Sequence, residues 1–301
     1  MTRFELNTLL ICLFSLRENI NNELNKNHSK FIIKNFNPQT VLNVIYVCIM
    51  KFNDKVVLVT GGSSGIGAAI AIQFAALGAK VAIVGRNQTK LKEVAKQCNN
   101  PLVIVADVTK SNDVKRIVME TVIHYGKLNI LVNNAGIVNA VSITDESAMA
   151  SYNKTMATNL HSVVHLTHLA TPHIIATKGN IVNISSIASR LVGPKIGFAY
   201  STSKAGLDHF TRSIASELAS SGVRVNSVNP GPVRTDLMGN AGVPKEHEDA
   251  FWKKAETVTA LKRVSSAEEI AELVTFLASD SARGITGSVF VTDNGVLIRA
   301  D

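Results

Sequence analysis

Val56-Val57-Leu58-Val59-Thr60-Gly61-Gly62-Ser63-Ser64-Gly65-Ile66-Gly67 decides the fold of this chain. Four uninterrupted apolar residues read as a strand buried on both faces. A glycine-rich turn follows, and from Ile66 the apolar spacing turns helical, over residues 66–77. Gly61, Gly65 and Gly67 are spaced Gly-x-x-x-Gly-x-Gly, unlike the Gly-x-Gly-x-x-Gly of many dinucleotide sites. Small residues here let the backbone turn tightly and approach a diphosphate. The helix that follows offers free N–H groups and the positive end of its dipole. A strand-to-helix turn that holds no ligand is the plain alternative.

The same alternation continues outward. Residues 56–59, 81–84, 102–105, 130–132, 181–184, 223–228 and 289–291 read as strands. Residues 66–77, 89–98, 111–125, 152–176, 200–220 and 267–278 read as helices. Ser111-Asn112-Asp113 reads as an N-terminal cap, and Gly78 and Gly222 as C-terminal stops. Strands alternating with helices predict an α/β fold, a doubly wound parallel seven-stranded sheet in a single domain over residues 50–301.

Bulk properties narrow the function. The 301 residues are 46% hydrophobic and 18% charged, with a formal net charge of +8. No dense Lys/Arg run or aromatic-basic interleaving accompanies that charge, so a nucleic-acid partner is not expected. Cys12, Cys48 and Cys98 have no metal-ligand spacing, and their odd number argues against a disulfide framework. A reducing, cytoplasmic setting is the expectation. Residues 1–49 differ in texture: rich in Asn, Ile, Leu and Lys, without Gly or Ala. The run Leu9-Leu10-Ile11-Cys12-Leu13-Phe14 is too short to span a bilayer. Residues 1–49 are read as an atypical extension, with Met50 the expected true start and a weak signal anchor or an accessory segment the alternatives.

Three further strings stand in order behind the glycine turn: Asn133-Asn134-Ala135-Gly136, Asn183-Ile184-Ser185-Ser186 and Tyr200-Ser201-Thr202-Ser203-Lys204. A Tyr and a Lys four apart share a helix face, which alone means little. Together the four strings resemble the short-chain dehydrogenase/reductase family, in its 3-oxoacyl-[acyl-carrier-protein] reductase-like branch, over roughly residues 52–298. The resemblance implies a Rossmann fold and hydride exchange between a nicotinamide and a carbonyl or alcohol. It implies a catalytic set of Asn159, Ser186, Tyr200 and Lys204. Tyr200 would be acid and base, best with a pKa drawn towards neutrality by the Lys204 charge. Ser186 would orient the substrate oxygen, and Asn159 would hold a relay water. Ser186 stands one residue further from Tyr200 than is commonest, and Ser185 is the alternative.

For the cofactor, the resemblance assigns the diphosphate to Gly61, Ser63, Ser64, Gly65, Ile66 and Gly67. It assigns the adenine to Asp107 and Val108. Asn133, Ala135 and Gly136 would stabilise the sheet and line the cofactor. Pro230, Gly231, Val233 and Thr235 would hold the nicotinamide, and Tyr200 and Lys204 its ribose. NAD-preferring enzymes usually end the second strand on an acid that binds the ribose 2′-OH. This chain has Gly85 there, followed by Arg86 and Asn87, and Arg86 suits a 2′-phosphate. NADP(H) is therefore expected, with NAD(H) the alternative.

Segments 138–142, 187–198 and 237–262 would form the substrate mouth. Their mixture of apolar and small residues suits a hydrophobic alcohol or ketone, such as a terpenoid, steroid or acyl chain, more than a polyol. Trp252 marks either a lid or ordinary packing. His161, His165 and His168 share a helix face but lack a zinc pattern, so no metal is expected. The family's usual homotetramer, or a homodimer, would form through 152–176, 200–220 and the C-terminal strand, where Asn294 replaces a common Gly. The rival readings are an NAD-linked alcohol dehydrogenase and a non-catalytic nucleotide sensor on the same fold.

Overall fold

In the computed structural model the chain divides into two units, Met1–Lys51 and Phe52–Asp301. The structure describes residues 52–193, 196–235 and 245–298, without the side chains of 245–248. The extension 1–49 and part of the expected mouth, 237–244, thus lie outside the described residues.

Seven parallel strands form one sheet in the order β3-β2-β1-β4-β5-β6-β7. They are β1 Val56–Thr60, β2 Lys80–Gly85, β3 Leu102–Val105, β4 Ile130–Asn133, β5 Asn180–Ile184, β6 Arg224–Pro230 and β7 Val289–Thr292. The helices are α1 Gly65–Ala76, α2 Gln88–Ala95, α3 Ser111–Tyr125, α4 Ala148–Met156, α5 Ser162–Ala176, α6 Phe198–Leu218, α7 Lys245–Thr257 and α8 Ala267–Ala278. A π-helical turn, Ala157–His161, joins α4 to α5. The sequence pattern reads these as one helix. The order reverses between β1 and β4, and open α/β sheets bind ligands at the carboxyl ends of strands beside such a reversal.

Every residue of β1, β4 and β5 is buried, which explains the apolar runs 56–59, 130–132 and 181–182 within them. On one face Leu58, Val84, Leu131 and Ile181 pack with Ile117 of α3, Leu166 and Ile174 of α5 and Ala215 of α6. On the other, α8 packs against α1. Each fully buried Leu or Ile contributes roughly 1.5–3 kcal/mol relative to exposure, so this double-sided core fixes the sheet. Gly78 and Gly222 adopt positive φ, 89° and 75°, where the chain leaves a helical stretch. Asn294 adopts φ 52°, a conformation Asn tolerates next after Gly.

Two local expectations are corrected. The N-cap of α3 is Lys110, without a side-chain cap bond, and not the Ser111–Asp113 string. Asp113 lies in the first turn, where its carboxylate accepts from the Asp107 N–H at 2.8 Å and pairs with Arg116 at 3.1 Å. The full capping box stands at α8 instead, between Ser266 and Glu269. Helix α7 was not expected: its charged sequence has a weak apolar stripe.

Candidate active site

The glycine turn shows why these positions exclude side chains. Gly61 has φ 65°, and a Cβ there would lie 2.7 Å from Asn134 Nδ2. A Cβ on Gly67 would lie 2.3 Å from the Gly61 carbonyl oxygen. The first turn of α1 is thus pressed against the loop before it, with its N–H groups at the carboxyl ends of the strands. Asn134 and Thr60 hold this arrangement. Asn134 Nδ2 donates to the carbonyls of Thr60 and Gly61, at 2.9 and 3.2 Å. Thr60 Oγ1 accepts from the Asn134 and Ala135 N–H groups, at 3.0 and 3.1 Å. Neither residue is among the expected site residues, although both lie within the strings that carry the resemblance. A Cβ on Gly65 would meet the Thr235 side chain at 3.1 Å, so the first and last cofactor strings adjoin. The narrow bare-backbone cradle fits a diphosphate, which needs close approach and N–H donors.

At the end of β2, a Cβ on Gly85 would lie 3.2 Å from Ser63. Arg86 is exposed. Asn87 caps α2, its Oδ1 accepting from the Lys90 N–H at 3.0 Å. Asp107 Oδ1 accepts from the N–H and hydroxyl of Thr109, at 2.9 and 2.8 Å. Burial pushes the Asp107 carboxyl up, but the Thr109 bonds and the charges of Arg86 and Lys110 outweigh it and hold it below the usual carboxylate range. The charge of Arg86, after β2, thus reaches Asp107, after β3. Asn133 is committed to the sheet: its Nδ2 donates to Asn183 Oδ1 at 2.8 Å and Thr167 Oγ1 at 3.2 Å. Gly231 lies against Asp293, where a Cβ would come within 2.7 Å of backbone, and Val233 bridges to Ser265.

The structure brings Asn159, Ser186, Tyr200 and Lys204 together. Lys204 and Tyr200 stand one turn apart on α6, with Lys204 Nζ 5.7 Å from the Tyr200 ring centroid. Lys204 is buried, and its ammonium donates to the Ile184 carbonyl at 2.8 Å. Burial pulls it down to about 8, with Asp208 opposing. The half-buried Tyr200 bonds to the Ser186 hydroxyl; burial pushes the phenol up and that bond pulls it back. The net direction is upward, against the expectation of a tyrosine drawn towards neutrality. Desolvation of the phenolate outweighs what the neighbouring groups return. Ser185 faces the other way, its Oγ donating to the Lys204 carbonyl at 3.2 Å.

Asn159 sits on the π turn. Its Oδ1 accepts from the Ile137 N–H at 2.9 Å, and its Nδ2 donates to the Ile137 carbonyl at 2.9 Å and Ser203 Oγ at 3.1 Å. A Cβ on Gly136 would lie 3.4 Å from Asn159 Oδ1 and 3.7 Å from Lys204 Nζ. Gly197, at φ 80°, lets the 187–198 loop meet the other side of the mouth, for a Cβ there would lie 2.3 Å from the Asn139 carbonyl. Trp252 of α7 is buried, with Arg234 Cζ 5.5 Å from its ring centroid.

Comparison with known proteins adds identity to this geometry. The family described as Enoyl-(Acyl carrier protein) reductase matches residues 61–297. An uncharacterized oxidoreductase of Thermotoga maritima is 39% identical over 252 residues, covering 82% of this chain and 98% of that protein. A cyclohexanol dehydrogenase of Acinetobacter sp. is 34% identical over 248 residues, covering 81% and 95%. The crystal structure of a Caenorhabditis elegans short-chain dehydrogenase/reductase of unknown function, determined with cofactor, superposes with a TM-score of 0.78 at 34% identity, covering 83% of this chain and 97% of that one. The chain therefore belongs to the short-chain dehydrogenase/reductase family, oxidoreductases that act on alcohols and carbonyls with a nicotinamide nucleotide.

Proposed function

We propose that the protein is an NADP(H)-dependent oxidoreductase that interconverts a carbonyl with a secondary or primary alcohol on a mainly hydrophobic substrate, using Tyr200 as general acid and base. The observation that carries this reading is one phenol placed between a serine hydroxyl and a buried ammonium. A bound nicotinamide supplies or accepts the hydride. Tyr200 is protonated at neutral pH, so it can give its proton to the alkoxide that forms as a carbonyl is reduced. Ser186 holds the substrate oxygen beside that proton. Lys204 lowers the energy of the resulting phenolate. Asn159 fixes Ile137 and Ser203 around them; with its amide bonded to protein at both ends, a relay water would find its main chain.

The cofactor residues follow from the same placement. Gly61 and the 63–67 turn hold the diphosphate, Asp107 and Val108 the adenine, and Pro230, Gly231, Val233 and Thr235 the nicotinamide. Ala135 and Gly136 line it, and Asn133 secures the sheet beneath. Arg86 and the Asn87 main chain receive a 2′-phosphate where Gly85 brings no carboxylate. The mouth favours an apolar substrate: Val192, between 187 and 198, is 95% exposed. The assembly we propose is a homotetramer or homodimer through α5 and α6, with Val164 and Ile175 among the exposed apolar residues of α5. No helix among the described residues is long and apolar enough to cross a membrane; the setting we propose is cytoplasmic.

The test is oxidation of NADPH and of NADH by the full chain over a panel of short diketones, a 3-oxoacyl thioester, farnesal, retinal and a 3-ketosteroid. Turnover with NADPH on the apolar members is expected. NADH preferred throughout would establish the NAD-linked alternative. Tight binding of NADPH without turnover on any member would favour the nucleotide sensor.

A further inference from the structure

One carboxylate is buried beside the Tyr200–Lys204 pair and takes no part in the proton transfer above. Asp208 stands one turn beyond Lys204 on α6, so Tyr200, Lys204 and Asp208 repeat every four residues along one face. It is 5% exposed. Its Oδ2 accepts from Asn229 Nδ2 at 2.8 Å, and its Oδ1 from Ser227 Oγ at 3.3 Å. Asn229 is fully buried on β6, immediately before the Pro230–Gly231 turn. Its Nδ2 also lies 3.0 Å from the Ser186 carbonyl oxygen and 3.0 Å from Ser189 Oγ. One carboxylate and one amide therefore connect the Lys204 helix, the Ser186 main chain and the turn assigned to the nicotinamide.

The neighbouring elements offer Lys204 no comparable charge. β5 and the turn Ile187–Ser189 carry no ionisable residue. His161 on the π turn, Lys154 on α4 and Arg190 after Ser189 are exposed. Arg224 is at the far end of β6, donating to the carbonyls of Leu277 and Ser279. Among the described residues Asp208 is the charge that opposes the burial of Lys204.

We propose that Asp208 and Asn229 are a positioning pair for the reaction inferred above: the carboxylate balances the buried Lys204 ammonium, and through Asn229 fixes Ser186 and the Pro230–Gly231 turn against it. The inference rests on Tyr200 and Lys204 being the proton-handling residues. Its consequence is electrostatic. Burial draws Lys204 down to about 8 even with Asp208 present. Without that charge its titration falls further. Proton transfer needs the ammonium, so the alkaline limb of the kcat profile moves down with it.

The test compares wild type with Asp208→Asn in the full chain. The ratio of their kcat values is expected to grow between pH 6 and pH 9, by about tenfold for each pH unit that the titration falls. A pH-independent ratio would mean a merely structural role and overturn the proposal. A second readout needs no turnover: the 13Cε resonance of Lys204, titrated in chain labelled at lysine, should show a lower midpoint in Asp208→Asn. An unmoved midpoint overturns the proposal even if a substrate is never found. Turnover that survives in Tyr200→Phe, by contrast, refutes the catalytic reading and leaves the resonance to decide the pair. Should Asp208→Asn fail to fold, Asp208→Ser, which is uncharged, smaller and leaves Asn229 in place, is read the same way.

Discussion

Replacing Arg86 by Ala should separate the two nicotinamide nucleotides. Arg86 is exposed at the end of β2, beside a Gly85 whose Cβ would crowd Ser63 at 3.2 Å. Asn87 keeps its capping bond to the Lys90 N–H in the variant, and Asp107 keeps Lys110 and both Thr109 bonds. The local fold therefore survives. What disappears is the guanidinium proposed to receive a 2′-phosphate. A charge-assisted hydrogen bond contributes about 1.5–3 kcal/mol, and exposure places this one at the lower end. About 1.5–2 kcal/mol is roughly a 10- to 30-fold rise in Kd for NADPH. NADH has no 2′-phosphate, and its Kd should change by less than about twofold. Fluorescence titration of both nucleotides at one ionic strength measures this. An equal loss for both, or an unchanged NADPH affinity, would refute the assignment of Arg86.

Gly67→Ala puts a Cβ 2.3 Å from the Gly61 carbonyl and forces α1 away from its loop, so we expect a loss of about 2–3 kcal/mol and a Tm drop of about 5–10 °C, with weaker NADPH binding. A melt within about 2 °C of wild type would show the contact to be loose. Ser186→Ala should lower kcat by at least about 100-fold, whereas Ser185→Ala, which loses only a bond to the Lys204 carbonyl, should stay within about fivefold. The reverse order in steady-state assays would move the role to Ser185. Lys204→Met should be more stable than wild type at pH 7 by about 1–3 kcal/mol, for Lys204 binds its proton more weakly folded than unfolded. Since the unfolded state then holds more protons between about 8 and the usual lysine range, wild type gains stability as pH rises through that window. Urea melts should show the gap narrowing there, and a constant gap would contradict the shift.

Much of the fold was legible because parallel strands buried on both faces leave unbroken apolar runs, as at 56–59 and 130–132. Six of the helices were likewise apparent from apolar spacing, apart from their ends. The π turn was invisible, since residues 157–161 carry no breaker. Helix α7 was missed because few of its residues form an apolar stripe. The cap of α3 was misplaced because Ser111 and Asp113 are good capping residues by type, and only the fold shows Asp113 turned towards Asp107. In the site, the glycine turn and the Tyr200–Lys204 register depend on local spacing and could be read. Asn134 meets Thr60 only after β1 and β4, far apart in sequence, have paired, and Asp208 meets Asn229 only after α6 has packed on the sheet beside β6. The upward push on Tyr200 was equally hidden, because desolvation depends on everything packed around the phenol.

The most direct measurement is the single-turnover rate of carbonyl reduction by NADPH-loaded wild type and Tyr200→Phe at pH 7, on the best substrate of the panel. Phe keeps the ring and loses only the hydroxyl, so NADPH should bind both proteins within about threefold while the rate falls by at least about 1,000-fold. A variant that binds NADPH and reduces the substrate at a rate within about tenfold of wild type would contradict Tyr200 as the proton donor, and with it the account of the site.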